Sequence, residues 1–206
     1  MERRSFTRFG ISVGAIAIAA VLYGSATRAD EYSRTDEYSR TDEYSQILRG
    51  YKIISEIFPK NTKLNFTGKD LALVGLGSYL VNSTGCNDCH THPNWANGGN
   101  PYNGEPEQIN TDLYLSGGRV FGPVDKPIAI SANITPDKNK NDMPAGLTWD
   151  AFREVMRTGL DPDVPGRLLQ VMPWPLYRWK TDRDLRAMYE YLRVIPSLND
   201  NMHPGP

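Results

Sequence analysis

Apolar residues recur at three- and four-residue spacing in only a few windows of this chain, and each window predicts one helix. Ile53, Ile54 and Ile57 form a short apolar face that stops at Pro59, which predicts a brief leading helix. From Asp70 to Val81, the positions Leu71, Leu73, Val74, Leu76, Tyr79 and Leu80 predict a second helix that feeds straight into Gly85. Two capped helices come later. Thr148 precedes a periodic stretch from Trp149 to Thr158, with Asp150 in its first turn and Gly159 past its end. Thr181 precedes another, in which Leu185, Met188, Tyr189 and Leu192 share a face, Asp182 and Asp184 sit in the first turn, and Pro196 follows. Residues 91–146 are dense in Gly, Pro and Asn and hold no helical period. A loop of that length in a compact domain is normally functional. Nothing in the pattern calls for a sheet, so the predicted class is all-α.

Residues 1–46 stand apart from this pattern. Arg3, Arg4 and Arg8 precede an uncharged, mostly apolar stretch from Phe9 to Tyr23, and the small residues Gly24, Ser25, Ala26 and Ala29 follow. This is the layout of a secretory signal over residues 1–29, cleavable after Ala26 or Ala29. The uncharged run 9–27 approaches the roughly 20 residues that span a bilayer, which makes a retained anchor the alternative. Its Gly and Ser content favours cleavage. Then Asp30-Glu31-Tyr32-Ser33-Arg34-Thr35 recurs from Asp36 and, in part, from Asp42 to Ser45. A six-residue unit with tyrosine as its only apolar member is shorter than any solenoid repeat, and residues 30–46 are expected to be disordered. A spacer or docking tail is its functional reading. Residues 47–206 then form one domain with a single core. The formal net charge of the 206 residues is −1, and it is more negative once the basic leader is set aside, which gives no reason to expect a nucleic-acid partner.

The two cysteines of the chain fall in Cys86-Asn87-Asp88-Cys89-His90. Two thiols three residues apart can each add to a vinyl group of one porphyrin, leaving the adjoining histidine to reach the iron, so the array reads as covalent attachment of one haem c. Other readings compete less well. A redox disulfide of this spacing sits at the end of a strand in a βαβ unit, and no such pattern surrounds it. A zinc site needs four ligands, and the further histidines His92 and His203 stand at spacings of no common zinc module. A disulfide here would close a tiny loop and add little stability. Haem is joined to an unfolded chain after export, which favours the general secretory route to the periplasm over a twin-arginine route for the Arg3-Arg4-Ser5-Phe6 leader.

With His90 as one axial ligand, the iron has a sixth position. His92 is too close in sequence to reach the opposite face of the same ring, and His203 and Met202 lie in a Pro/Gly-rich tail expected to fray. Met156 and Met188 lie inside amphipathic helices, where core packing is the default, and Met143 is in a polar loop. Met172 stands in Val171-Met172-Pro173-Trp174-Pro175 between the two helices, on a path the prolines should hold extended. It is the candidate sixth ligand, with packing in an irregular core loop as the alternative. For the Nδ1 proton of His90, Pro123 and Pro127 lie in the right region to offer a carbonyl. Ser131 and Asn133 are candidates to hydrogen-bond haem propionates.

The order of "GSYLVNSTGCNDCHTH", "LYLSGG", "ISANITPD", "GLTWDAFREVMRTG" and "VMPWPLYRWKTDRDLRAMYEYLR" resembles the class I cytochrome c domains of cytochrome subunits of periplasmic alcohol and sugar-acid dehydrogenases and of related single-haem proteins. The resemblance runs from about residue 69 to 196. It implies an all-α class I cytochrome c fold, thioethers at Cys86 and Cys89, His90 as proximal ligand and Met172 as distal ligand. It also implies that Gly77 and Tyr79 of the entry helix pack against Tyr191 and Leu192 of the last one. Dehydrogenase subunits often carry three haem motifs where this chain has one, and the hexapeptide repeat is no feature of the family. A His/Met pair saturates the iron and favours electron transfer over catalysis. The expected function is thus that of a periplasmic electron carrier or dehydrogenase cytochrome subunit, not itself an enzyme. Its partners would be a dehydrogenase donor and an oxidase or another cytochrome as acceptor, with membrane contact only through a retained leader. The alternatives are a haem enzyme or gas sensor with a displaceable sixth ligand, and a docking protein built around the repeat.

Overall fold

A computed structural model describes residues 41–202, so the expected signal at 1–29, most of the repeat and His203 lie outside the described residues. The first described helix, α1, covers residues 41–57 and is longer than the brief helix expected from Ile53 to Ile57. It takes in residues 42–45, the last copy of the repeat, which was expected to be disordered up to residue 46. The reason is cooperative. Ile47 and Tyr51 pack against the core two turns and one turn ahead of Ile54, and once that face is docked each further residue adds a hydrogen bond at little cost.

α2 (Leu71–Ser83) starts where Asp70 accepts hydrogen bonds from the N–H groups of Ala72 and Leu73. It is the central helix, and both of its crossings rest on glycine. A Cβ on Gly50 of α1 would lie 1.8 Å from Gly75 O, so the two backbones touch, and Ser78 Oγ donates to Gly50 O at 2.9 Å beside that contact. On the other side a Cβ on Gly77 would lie 1.9 Å from Ala187 O and 2.7 Å from Tyr191 Cβ of the last helix. Val74, Leu76 and Val81 fill the space between, with Leu185, Met188, Tyr191 and Leu192 facing them.

The helices expected near Trp149 and Asp182 form with the caps read from the sequence. α4 (Trp149–Thr158) is capped by Thr148 and ends at left-handed Gly159. α6 (Asp182–Leu192) carries a reciprocal capping box between Thr181 and Asp184. Between them an unexpected short helix, α5 (Trp174–Tyr177), begins after Pro173, with the ring of Pro175 accommodated in its first turn. α3 is the single turn Cys86–His90.

Residues 91–146 form a long loop that also holds two antiparallel pairings that the sequence did not announce. β1 (Val120–Phe121) pairs with β2 (Ala129–Ile130), and β3 (Pro136–Asp137) pairs with β4 (Met143–Pro144). Two-residue strands are too short to leave a period-two pattern. The architecture of the described residues is all-α with long loops and is compatible with a class I cytochrome c fold. Among the described residues no helix is long and apolar enough to cross a membrane.

Candidate functional site

α2 delivers the chain to the site. Thr84 closes it by bonding Leu80 O through both its N–H, at 3.1 Å, and its Oγ1, at 2.7 Å. Gly85 then takes φ +82, a left-handed turn open to glycine, and α3 starts at once. Cys86 and Cys89, three apart on that turn, are neighbours on one face and are both free thiols. Cys86 is buried, which pushes its thiol up to about 11, and burial raises half-buried Cys89 as well. Both are neutral at pH 7, the reverse of the depressed thiol that a redox C-x-x-C needs.

His90 Nδ1 lies 2.7 Å from Ala132 O. A carbonyl only accepts, so Nδ1 carries the proton and Nε2 keeps its lone pair. Burial lowers the imidazole pKa, with the Ala132 bond opposing it, and the neutral ring is favoured. The acceptor is therefore neither Pro123 nor Pro127. Pro123 O accepts from Lys126 N in the turn between β1 and β2, while the strand beyond β2 runs back along Gly118 and Arg119 and brings Ala132 to the ring. Ser131 and Asn133 also have other work. Ser131 Oγ accepts from Arg119 N, and the Asn133 side chain donates to Leu198 O and Asp200 and accepts from Thr135. The Asn133 amide is thus fully engaged, whereas the Ser131 hydroxyl, which only accepts here, keeps a proton to donate.

A wall of backbone backs the turn. Gly117 N donates to His90 O at 2.6 Å, and Leu115 N donates to the buried Thr91 Oγ1 at 3.0 Å. Asn201, just before the tail residues Met202 and His203, is buried. Its Nδ2 donates to His92 O and to Gly117 O, and its N–H donates to Ser116 O. One side-chain amide thus satisfies two carbonyls that the loop cannot reach by itself. Asn94 Nδ2 donates to Asn87 O and Asp88 O within the motif, and Arg119 Nη2 donates to Asn94 Oδ1. Ala132, Asn94, Arg119 and Asn201 carry no sequence signature that could have singled them out.

Met172 lies half-buried in a bend just before α5 and packs against the core. Its carbonyl accepts from Trp174 N, Trp174 Nε1 donates to Leu169 O, and Tyr177 OH donates to Thr84 O at 2.9 Å. That last bond ties the element following Met172 to the residue two before Cys86. Met156 and Met188 are core residues, Met143 is in β4, and Met202 is exposed.

The donor set can be tested against a cofactor. Among the described residues no group of three or more His, Cys, Asp or Glu side chains could hold a bare metal ion. One imidazole with a free Nε2 beside two neutral thiols on one face is instead what a porphyrin iron requires, because the macrocycle supplies the equatorial ligands. The residues fit haem.

Comparison with curated proteins finds two relatives. The chain is 31% identical over 122 residues to the "Gluconate 2-dehydrogenase cytochrome c subunit" of Pantoea cypripedii, an alignment covering 58% of this chain and 22% of that protein. It is 30% identical over 122 residues to the "Alcohol dehydrogenase (quinone), cytochrome c subunit" of Gluconobacter oxydans (strain 621H), covering 59% of this chain and 21% of that protein. The chain thus spans about a fifth of the length of either relative. No family model matches the chain, and no solved structure matches it.

Proposed function

We propose that this chain holds one haem c, bound through thioethers at Cys86 and Cys89, with His90 as proximal and Met172 as distal ligand, and that it passes single electrons in the periplasm. It serves as a carrier or as the cytochrome subunit of a dehydrogenase and catalyses no reaction of its own. The observation that carries this reading is the bond from His90 Nδ1 to Ala132 O beside two free thiols on the same turn. When bound, the haem supplies a one-electron iron couple.

The chain does the rest. Ala132 O holds the imidazole in one tautomer and orientation and raises its basicity as a ligand. The wall from Tyr114 to Gly118 is buried and keeps water from the proximal side. The thioether of Met172 is a soft neutral donor that favours ferrous iron. The cytochrome c subunits found as relatives support a dehydrogenase as electron donor; in this reading the acceptor is an oxidase or another cytochrome. Docking of this kind is weak and brief. Residues 1–29 would direct export by the general secretory route, and the repeat would act as a spacer.

The test has two parts. Denatured protein should keep its haem colour through acid-acetone extraction, and loss of all colour into the solvent would rule out covalent attachment. Met172→Ala should lower the reduction potential and let carbon monoxide bind the ferrous form, whereas Met143→Ala should do neither. The opposite result would move the sixth ligand away from Met172 and, if wild type already binds carbon monoxide, would favour a sensor or catalyst.

A further inference from the structure

We propose that Arg119 is a positioning residue that sets the reduction potential of the site, as a fixed cation held against the haem-attachment turn. The inference rests on the haem reading above. Three observations support it. The Arg119 backbone is locked, its N–H donating to Ser131 Oγ at 2.9 Å and its carbonyl accepting from Ser131 N at 2.9 Å, one residue before the carbonyl that orients His90. Its guanidinium is clamped by Asn94, which is itself fastened to the carbonyls of Asn87 and Asp88 inside the motif. Its Nε is buried and has no hydrogen-bond partner among the described residues.

A desolvated donor with no acceptor is costly, and a clamp that maintains it needs a compensating role. Electrostatics provides one. The guanidinium charge, held by Asn94 against the attachment turn, stands against the gain of positive charge when iron becomes ferric. Asp88, on the same turn, has the opposite sign, but it is exposed and water screens it more strongly than half-buried Arg119.

The expected size follows from Coulomb's law. One unit charge held within the same domain, at an effective dielectric near 20, changes an equilibrium roughly tenfold. For a one-electron couple that is about 59 mV.

The experiment uses the exported holoprotein and spectroelectrochemical titration of wild type, Arg119→Met, Arg119→Lys and Asn94→Ala, with a separate aliquot of each tested by acid-acetone extraction. Arg119→Met should shift the ferric/ferrous ratio about tenfold toward ferric, and Arg119→Lys should retain most of the wild-type potential. Asn94→Ala should give a smaller fall that grows with salt, because the released guanidinium is better screened. An unchanged or raised potential in Arg119→Met overturns the inference and leaves the haem reading standing. A fall in Arg119→Lys as large as in Arg119→Met overturns it too, since charge would not be the cause. If Arg119→Met yields no holoprotein, an unchanged potential in Asn94→Ala overturns it. Loss of colour from wild type in the extraction overturns the haem reading and this inference together.

Discussion

Gly77→Ala pits two effects of opposite sign against each other, and the structure decides between them. Gly77 is in the interior of α2, where alanine is intrinsically better than glycine by about 1 kcal/mol. Judged by helix propensity alone, the substitution stabilises. The added Cβ, however, would lie 1.9 Å from Ala187 O, 2.5 Å from Ala187 C and 2.7 Å from Tyr191 Cβ. Two of these three atoms are α6 backbone, so no side chain can swing aside, and α2 and α6 must move apart by more than an ångström. That parting loosens Leu76, Leu185, Met188 and Tyr191, all almost fully buried. Overpacking a close-packed core costs about 1–3 kcal/mol and sometimes more, and a parted interface adds lost contacts. A net loss of about 3 kcal/mol is expected, which lowers the Tm of a unit this size by roughly 6–12 °C. Far-UV circular dichroism melts of the protein should show it. An equal or higher Tm for Gly77→Ala would refute the argument, because propensity would then have won and the two helices could not be in backbone contact.

Asn201→Ala should destabilise by about 1–3 kcal/mol, read as a lower urea midpoint, because it strands the His92 and Gly117 carbonyls that Nδ2 satisfies. The pH dependence has a direction at Asp182, whose pKa is held below its ordinary value by hydrogen bonds from Arg157 and Arg153. A depressed carboxyl stabilises fully above its unfolded pKa, near 4, and loses that contribution as pH falls through the folded value. Wild type should therefore lose more stability than Asp182→Asn between about pH 5 and pH 3 in melts followed across that range.

The parts of the fold that were legible in the sequence are those in which a local rule and the final packing agree. Thr148, Gly159 and Thr181 announce α4 and α6 because a cap satisfies groups within its own turn. The turn Cys86–His90 stands out in the sequence because its three chemistry-bearing residues adjoin one another. Tertiary choices left weaker traces. Nothing in residues 42–45 says they are helical, since the docking of Ile47 and Tyr51 decides it. The Gly50–Gly75 contact is a property of two helices that meet only after folding. The His90 partner was missed because a backbone carbonyl has no residue signature, and the β1–β2 turn takes up the Pro123 carbonyl. The Pro173-Trp174-Pro175 segment was read as extended, yet proline is at ease at a helix start, and α5 forms there.

The bond from Asn201 to His92 also concerns timing. The two residues are 109 positions apart. In a chain that emerges from a ribosome amino end first, Cys86, Cys89 and His90 leave the channel long before Asn201 can complete the wall behind them. During that interval the two thiols are borne on an open peptide. The fold closes that interval with a residue made a hundred codons later.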